Sequence, residues 1–420
     1  MGEFVFFTEM KTLVLSLAAA LLLAPSCTKI NCEEDLGPED LQPIVPIELT
    51  KAEQGVREAS NTFGLNIFNR LYTAGQGEDV VFSPLSLSLA LSMVAEGAAG
   101  DTWKQFSDVI GWGSATQAEV GSYYKKMIEG LVTADPSVAF TSANSYWAAL
   151  GLSLKQDFES RLKANYAAEG YVVDFSSPAT LDKINGWCSD KTAGKIPKML
   201  NDLNPETQLM LINALLFKAP WALTWEIKQG RDFTGTDGKA KKDYLYVKDY
   251  SMAYGDYGDF EYLRIPYGNG AYQMDIILPR EGTSLADFLP TLKAGHLSYP
   301  LDAAKVTLYL PKWSTSYSTE NALIDILKAQ GLTLPFDRNL ADFSGISQEP
   351  LYISQVIQKT QIDVTEKGTE FAAVTVIGME KNSAVPVTPP KVTVDVNRPF
   401  AYVIRETTSG TVLLTGTLSK

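Results

Sequence analysis

A catalytic triad needs an imidazole, and this 420-residue chain holds one, His296. Ser-His-Asp or Cys-His nucleophilic chemistry would have to be assembled around it. Its setting, Lys293-Ala-Gly-His-Leu-Ser298, reads instead as a solvated loop. No HExxH helix for zinc, no GxxxxGK[ST] phosphate cradle, no GxSxG elbow and no CxxC pair occurs in the sequence. The 49 acidic side chains supply carboxylate pairs in abundance, but no spacing sets two of them apart for acid–base work. The reading is a chain that is not an enzyme and holds neither cofactor nor metal.

The chemistry the chain does offer is that of a substrate. Thr369-Glu-Phe-Ala-Ala-Val-Thr-Val-Ile-Gly378 is small and β-branched, with a single charge and no proline. Met379-Glu-Lys-Asn-Ser-Ala384 is polar and cleavable, and Pro386, Pro389 and Pro390 then stop regular pairing. Upstream, Ile353–Val364 alternates, with Val356, Gln358, Thr360, Ile362 and Val364 on one side and Ile357, Lys359, Gln361 and Asp363 on the other. That period predicts a strand at the centre of a large sheet, closed by a turn at Glu366-Lys367-Gly368. Two strands around a glycine turn account for this pattern. So does a strand held in reserve: left unpaired, Thr369–Ile377 is an insertion-competent edge binder.

The elements that must position this segment change character along the chain. Helical periodicity dominates first, over Val56–Thr73, Ser86–Ala99, Thr102–Ile110, Gln117–Leu131, Gln156–Asn165 and Pro178–Thr192. Thr116 with Glu119 forms a capping-box pattern, and Ser86–Ala99 is nearly all apolar, hence buried. Strands follow at Asp79–Pro84, Thr207–Lys218, Tyr272–Leu278 and Lys305–Leu310, and Ala401–Arg405 with Thr411–Leu418 reads as a hairpin. This is an α+β domain with more than one sheet, without internal repeats.

Composition narrows the partners. Net charge is −13 and no basic cluster is present, which argues against nucleic acid. Near the start, Lys11 and the apolar run Thr12–Ala24 read as an export signal, too short for a mature membrane span. Cys27, directly after Pro25-Ser26, resembles the lipidated cysteine of a bacterial lipoprotein. The expected organisation is an export segment at 1–27, an acidic flexible tether at 28–55 and one folded domain at 56–420. Localisation to a bacterial envelope, with the membrane touched only through a lipid anchor, follows from the same reading. A structural disulfide is not expected from Cys27, Cys32 and Cys188.

Several further motifs occur together and in order. They are Val81-Phe-Ser-Pro-Leu-Ser86 with Gly100-Asp-Thr102; Asn185-Gly-Trp187 with Thr192-Ala-Gly-Lys-Ile196; and Asn213-Ala-Leu-Leu-Phe-Lys218 with Trp221. Leu310-Pro-Lys-Trp313, Phe343-Ser-Gly-Ile346, Glu366-Lys-Gly-Thr-Glu370 with Ala372-Ala373, Asn397-Arg-Pro-Phe400 and Leu413-Leu-Thr-Gly416 complete the series. From Phe63 to Leu418 the chain thereby resembles a serpin, a member of the serine-protease-inhibitor family. The resemblance implies three β-sheets, about eight or nine helices, and an exposed reactive-centre loop at about residues 366–390. It implies a monomer whose cleaved loop inserts into the central sheet and carries a trypsin-like or an elastase- or chymotrypsin-like protease with it. Papain-like proteases are a further target class.

Residue roles follow from the same resemblance. Glu366, Gly368, Thr369, Glu370, Phe371, Ala372 and Ala373 form the loop hinge. The scissile bond falls at Asn382-Ser383 by family spacing, with Lys381 and Met379 as alternative bait residues. Ser83, Ser86 and Asn213 match the cluster where the central strands part, with Gln358 standing where the family has histidine, and Trp221 lies near the top of the sheet. Phe371 departs from the small residue usual at its place. That departure favours an alternative, a non-inhibitory binding or chaperone-like module.

Overall fold

The computed structural model describes residues 42–320, 322–369 and 389–420. Among them are eight α-helices: α1 (Lys51–Ala74), α2 (Pro84–Ala95), α3 (Gly100–Ile110), α4 (Gln117–Thr133), α5 (Gln156–Tyr166), α6 (Pro178–Lys191), α7 (Leu285–Phe288) and α8 (Ala322–Ala329). The first strands are β1 (Val81–Phe82), β2 (Ala139–Ala149), β3 (Glu169–Val173), β4 (Leu209–Lys218), β5 (Glu226–Gly235), β6 (Gly238–Asp256), β7 (Phe260–Tyr267) and β8 (Tyr272–Pro279). After them come β9 (Asp302–Pro311), β10 (Trp313–Ser318), β11 (Lys359–Thr365), β12 (Gly368–Thr369), β13 (Lys391–Asp395), β14 (Phe400–Glu406) and β15 (Val412–Leu418).

Local chemistry sets the helix ends. Thr116 and Glu119 close the capping box at the start of α4 as expected. The same box forms at Thr50 and Glu53, so α1 opens at Lys51, five residues before the expected helix start at Val56. The chain before it is also anchored, because Ile47 is buried and its N–H donates to Thr408 Oγ1 at 2.9 Å. Ser83 caps α2 and Pro84 occupies its first turn, where a missing N–H costs nothing. The apolar surface of α2 is buried within the main core.

Three hydrogen-bonded sheets result. The largest has nine strands in the order β1-β15-β14-β8-β7-β6-β9-β13, with β5 on β6. The other two, β10-β11-β12 and β3-β2-β4, have three strands each and are joined by a single bridge, Thr369 to Ala219. Together they form one layer split lengthwise between β4 and β11. α2 lies against its inner face along β4, and α6 covers the outer face of the β3-β2-β4 half through a separate core of Trp147, Ile184, Trp187, Cys188 and Ile212.

One expected strand is shorter than its pattern. Alternation predicts Ile353–Val364, but pairing begins only at Lys359. Residues 351–358 line the split and, among the described residues, have no partner strand. The alternation holds at Val356, which packs toward the main core, and Ile357, which packs toward the core under α6, but not at Ile353, which also joins the main core.

Candidate functional site

The split between β4 and β11 is the candidate site, closed at its top and open below. At the top, Thr369 pairs with Val364 on one side and with Ala219 on the other. Its N–H donates to the Ala219 carbonyl at 3.0 Å, and the Ala219 N–H donates back at 2.9 Å. Gly368 and Thr369 therefore form the first two residues of a strand seated between the halves. Gly368 has φ +132°, and a Cβ there would lie 2.1 Å from the Ala219 oxygen, so only glycine fits.

Several side chains fix this seat. The Thr369 side chain turns inward, and its hydroxyl shares a 2.6 Å hydrogen bond with Tyr267. Burial pushes the Tyr267 phenol far above its ordinary pKa, so it stays protonated. Its ring stacks on Trp221 at 4.4 Å and 12°, and the Trp221 indole donates to the Thr365 carbonyl at 2.8 Å. The turn is clasped by Lys312, whose ammonium lies 2.6 Å from Glu366 and holds that carboxyl below the usual range.

Midway down, each side of the split binds the N-terminus of α2. Gln358 accepts from the Ser83 N–H at 2.7 Å and donates to the Ser83 carbonyl at 2.9 Å. The Ser86 hydroxyl donates to Asn213, whose amide donates to Ser142 at 3.1 Å and Asn144 at 2.9 Å. The segment after α6 crosses on the outer face. Lys195 pairs with Asp363 at 2.8 Å, and Lys359 donates to the Lys198 carbonyl at 2.8 Å. Burial raises the Asp363 carboxyl, but hydrogen bonds from Lys195 and Ser314 outweigh it and leave the group below its ordinary pKa.

Below these contacts the halves diverge around a cavity of about 830 Å³. Leu87, Ala90 and Leu91 of α2 contribute to its lining, with β4 from Leu209 to Asn213 on one side and residues 349–358 on the other. Higher up, the gap between Leu215–Phe217 and Lys359–Ile362 narrows to about 50 Å³. Among the described residues the backbone of β4 is paired along one edge, to β2, and its other edge faces the cavity. This is a slot shaped for an extended chain.

The structure thus brings Ser83, Ser86, Asn213 and Gln358 to the middle of the slot and places Trp221 at its top with Glu366, Gly368 and Thr369. Glu370, Phe371, Ala372, Ala373, Met379, Lys381, Asn382, Ser383 and Cys27 lie outside the described residues. His296 sits in a short 3₁₀ turn, accepting from the Lys293 N–H at 2.8 Å, beside Phe260 and Tyr299. Cys188 is a buried free thiol whose pKa is pushed up to about 12 by burial. Tyr267, Lys312 and the Lys195–Asp363 pair were not legible as site residues, since each acts through a partner distant in sequence.

One pH prediction follows. Gln358 does not titrate, and the Glu366 and Asp363 carboxyls are held below their ordinary pKa. Groups shifted this way stabilise fully above about pH 4.5 and lose that contribution only as pH falls through their lowered values. The rate at which an added strand peptide opens and enters the slot, followed by tryptophan fluorescence, is therefore expected to be constant within about twofold from pH 5 to 8. Placing an imidazole in the slot with Gln358→His should introduce a transition inside that window. A severalfold change in the unmodified protein would overturn this.

The comparisons with known proteins agree with this geometry. Residues 58–420 match the family model described as Serpin (serine protease inhibitor). Neuroserpin of Homo sapiens is 30% identical over 377 residues, 86% of this chain and 90% of its own length. Iripin-3 of Ixodes ricinus is 31% identical, with 85% and 93% covered. Among solved structures, native tengpin, a thermophilic serpin, superposes with a TM-score of 0.77 at 27% identity, covering 90% of this chain and 97% of its own.

Proposed function

This chain belongs to the serpin family, whose members are protease inhibitors rather than enzymes, and from that premise we propose that it traps serine proteases by inserting its cleaved loop into the slot. The observation that carries this reading is the seating of Gly368 and Thr369 as the start of a strand above an open gap. Antiparallel register continues from there. Thr369 lies opposite Ala219 and Val364, so residue 371 would come opposite Phe217 and Ile362. Thr375 would meet Asn213 and Gln358, and Met379 would meet Leu209 and Ser354.

The mechanism follows from that register. A protease attacks the loop carbonyl through its own nucleophile, breaking the peptide bond and forming an acyl-enzyme; the new amino terminus is released, while β13, β14 and β15 stay paired in the large sheet. The freed strand then pairs with β4 and the 351–365 segment, each new backbone hydrogen bond contributing about 0.5–1.5 kcal/mol. Residues 369, 371, 373, 375, 377 and 379 share the inward face. The acyl bond is carried with the strand, and hydrolysis fails if the protease is distorted first. The Asn382-Ser383 register, with Lys381 and Met379 as alternatives, belongs to this proposal.

The test is incubation with trypsin-, chymotrypsin-, elastase- and papain-like proteases, read by denaturing gel and intact mass. A complex that survives denaturant, with the C-terminal peptide released, is the expected result. Cleavage without complex by every protease would sink the proposal. The narrowness at the level of residue 371 favours the second reading, a binding module that is cut but does not trap. In that case cleavage would leave the melting temperature unchanged.

Export and lipidation at Cys27, with anchoring to a bacterial envelope, form part of the proposal and rest on the run Thr12–Ala24 ending at Pro25-Ser26-Cys27. Labelling by an alkyne fatty acid that persists in a Cys27→Ser variant would overturn the lipid assignment.

A further inference from the structure

The chain is clamped to the fold well before α1 starts. The Asn269 amide donates to the Gln42 carbonyl at 3.2 Å, and the Val45 N–H donates to the Ala134 carbonyl at 3.5 Å. Ile47 is buried against Gly130. Two apolar side chains in this clamped stretch nonetheless stay outside the core: Ile44 is 39% exposed and Val45 48%. Val132, in the last turn of α4 and two residues before Ala134, is 51% exposed. Among the described residues these are three of eight exposed large apolar side chains. A single exposed valine is ordinary, whereas three held together form a patch.

The ground around the patch is uncharged, on a chain whose net charge is −13. Segments 42–47, 130–137, 267–271 and 407–410 meet here through the clamp, the Ile47–Thr408 hydrogen bond and a 2.8 Å bond from the Thr407 N–H to the Ala271 carbonyl. Asp135 is the one charged residue in the four segments. It is buried, and its carboxylate accepts from Ser137 and from the Asn269 N–H at 2.7 Å. Glu406, beside the last segment, is buried as well and accepts from the Thr408 and Ser409 N–H groups. A net negative protein is repelled by anionic lipid, and least so over an uncharged face.

The leash also ends here. Gln42 lies 15 positions beyond Cys27, a stretch that spans at most about 50 Å. A lipid on Cys27 would keep this face close to the bilayer at high effective concentration, so a weak contact suffices. Burying what remains exposed of three aliphatic side chains favours the docked state by on the order of a hundredfold.

We propose that Ile44, Val45 and Val132 form a membrane-docking face that seats the domain on the lipid surface. This rests on the reading that Cys27 carries the anchor, and it adds to it a fixed side of the domain turned toward the bilayer.

The experiment reads contact with lipid directly. A Val132→Cys chain in a Cys32→Ser background carries a fluorophore at 132, and a Lys239→Cys chain labelled on the β5–β6 hairpin is the reference. Both are held on phosphatidylethanolamine–phosphatidylglycerol vesicles containing nitroxide-bearing lipid. The label at 132 is expected to be quenched and that at 239 spared. Ile44→Asp with Val45→Asp is expected to lower the docked fraction, read as excess quenching at 132, about tenfold while the chain stays on the vesicles. Equal quenching at 132 and 239 would overturn the docking face. Self-quenching that rises with protein density, in place of quenching by lipid, would assign the patch to a second copy and overturn it too. Failure of the anchor reading shows separately, as an unmodified chain that does not float with the vesicles. The same labels are therefore also read on a chain whose residues 1–27 are replaced by a histidine tag, held on nickel-chelating lipid.

Discussion

Replacing Phe371 by alanine should raise the fraction of protease encounters that end in a stable complex. The register set by Thr369 carries residue 371 to the level of Phe217 and Ile362, on the inward face. The gap there is about 50 Å³, whereas a cavity that admits a benzene ring is on the order of 150 Å³. A phenyl ring must displace its surroundings, and overpacking of this kind costs typically about 1–3 kcal/mol. If that cost falls on the transition state for insertion, the rate is lowered about 5- to 150-fold. Hydrolysis of the acyl-enzyme competes with insertion, so the slower strand loses more often. Phe371→Ala should therefore lower the molar ratio of inhibitor to protease needed for full inhibition, measured by titration. An unchanged ratio would mean that the slot widens freely at this level. The larger cavity below, about 830 Å³, poses no such obstacle to Thr375, Ile377 or Met379.

Gly368→Val should have the opposite effect and nearly abolish trapping. A Cβ at position 368 meets the Ala219 carbonyl at 2.1 Å and the Pro220 Cα at 2.8 Å, both backbone atoms that cannot swing aside. The φ of +132° also excludes a β-branched residue. Seating of Thr369 would then fail, and with it the Tyr267 hydrogen bond and both bonds to Ala219. The loop would still be cut, because cleavage needs only an exposed chain. Complex should fall at least tenfold on denaturing gels while cleaved product rises. The melting temperature after cleavage should no longer increase, since insertion is what adds hydrogen bonds to the sheet. Retained complex at the unmodified yield would show that insertion does not start at Gly368.

Much of this architecture is local information. The capping box at Thr116 and the buried character of α2 are legible because each depends on residues within one or two turns. The box at Thr50 has the same signature, yet the apolar stripe begins only at Val56, so periodicity misplaces the helix start. The 353–364 segment shows the converse. Its alternation records which side chains face which core, and Val356 and Ile357 obey it, but alternation says nothing about whether a partner strand is present. Pairing needs a second strand, and among the described residues none pairs with the segment before Lys359.

By itself, then, the sequence determined that any triad would have to be built around His296, that a β-prone segment is followed by a cleavable one, and, through motif order, which family the chain resembles. Tertiary structure alone decided that Thr369 is already seated between Val364 and Ala219, that Tyr267 holds it, and that Lys312 and Lys195 clasp Glu366 and Asp363. It also decided that the gap is narrow where Phe371 would enter and wide below. The physical reason is sequence separation: Gln358 meets Ser83 across 275 positions, and Trp221 meets Thr365 across 144. Such contacts leave no periodicity along the chain, because their geometry is fixed only when the sheet halves and α2 are packed together.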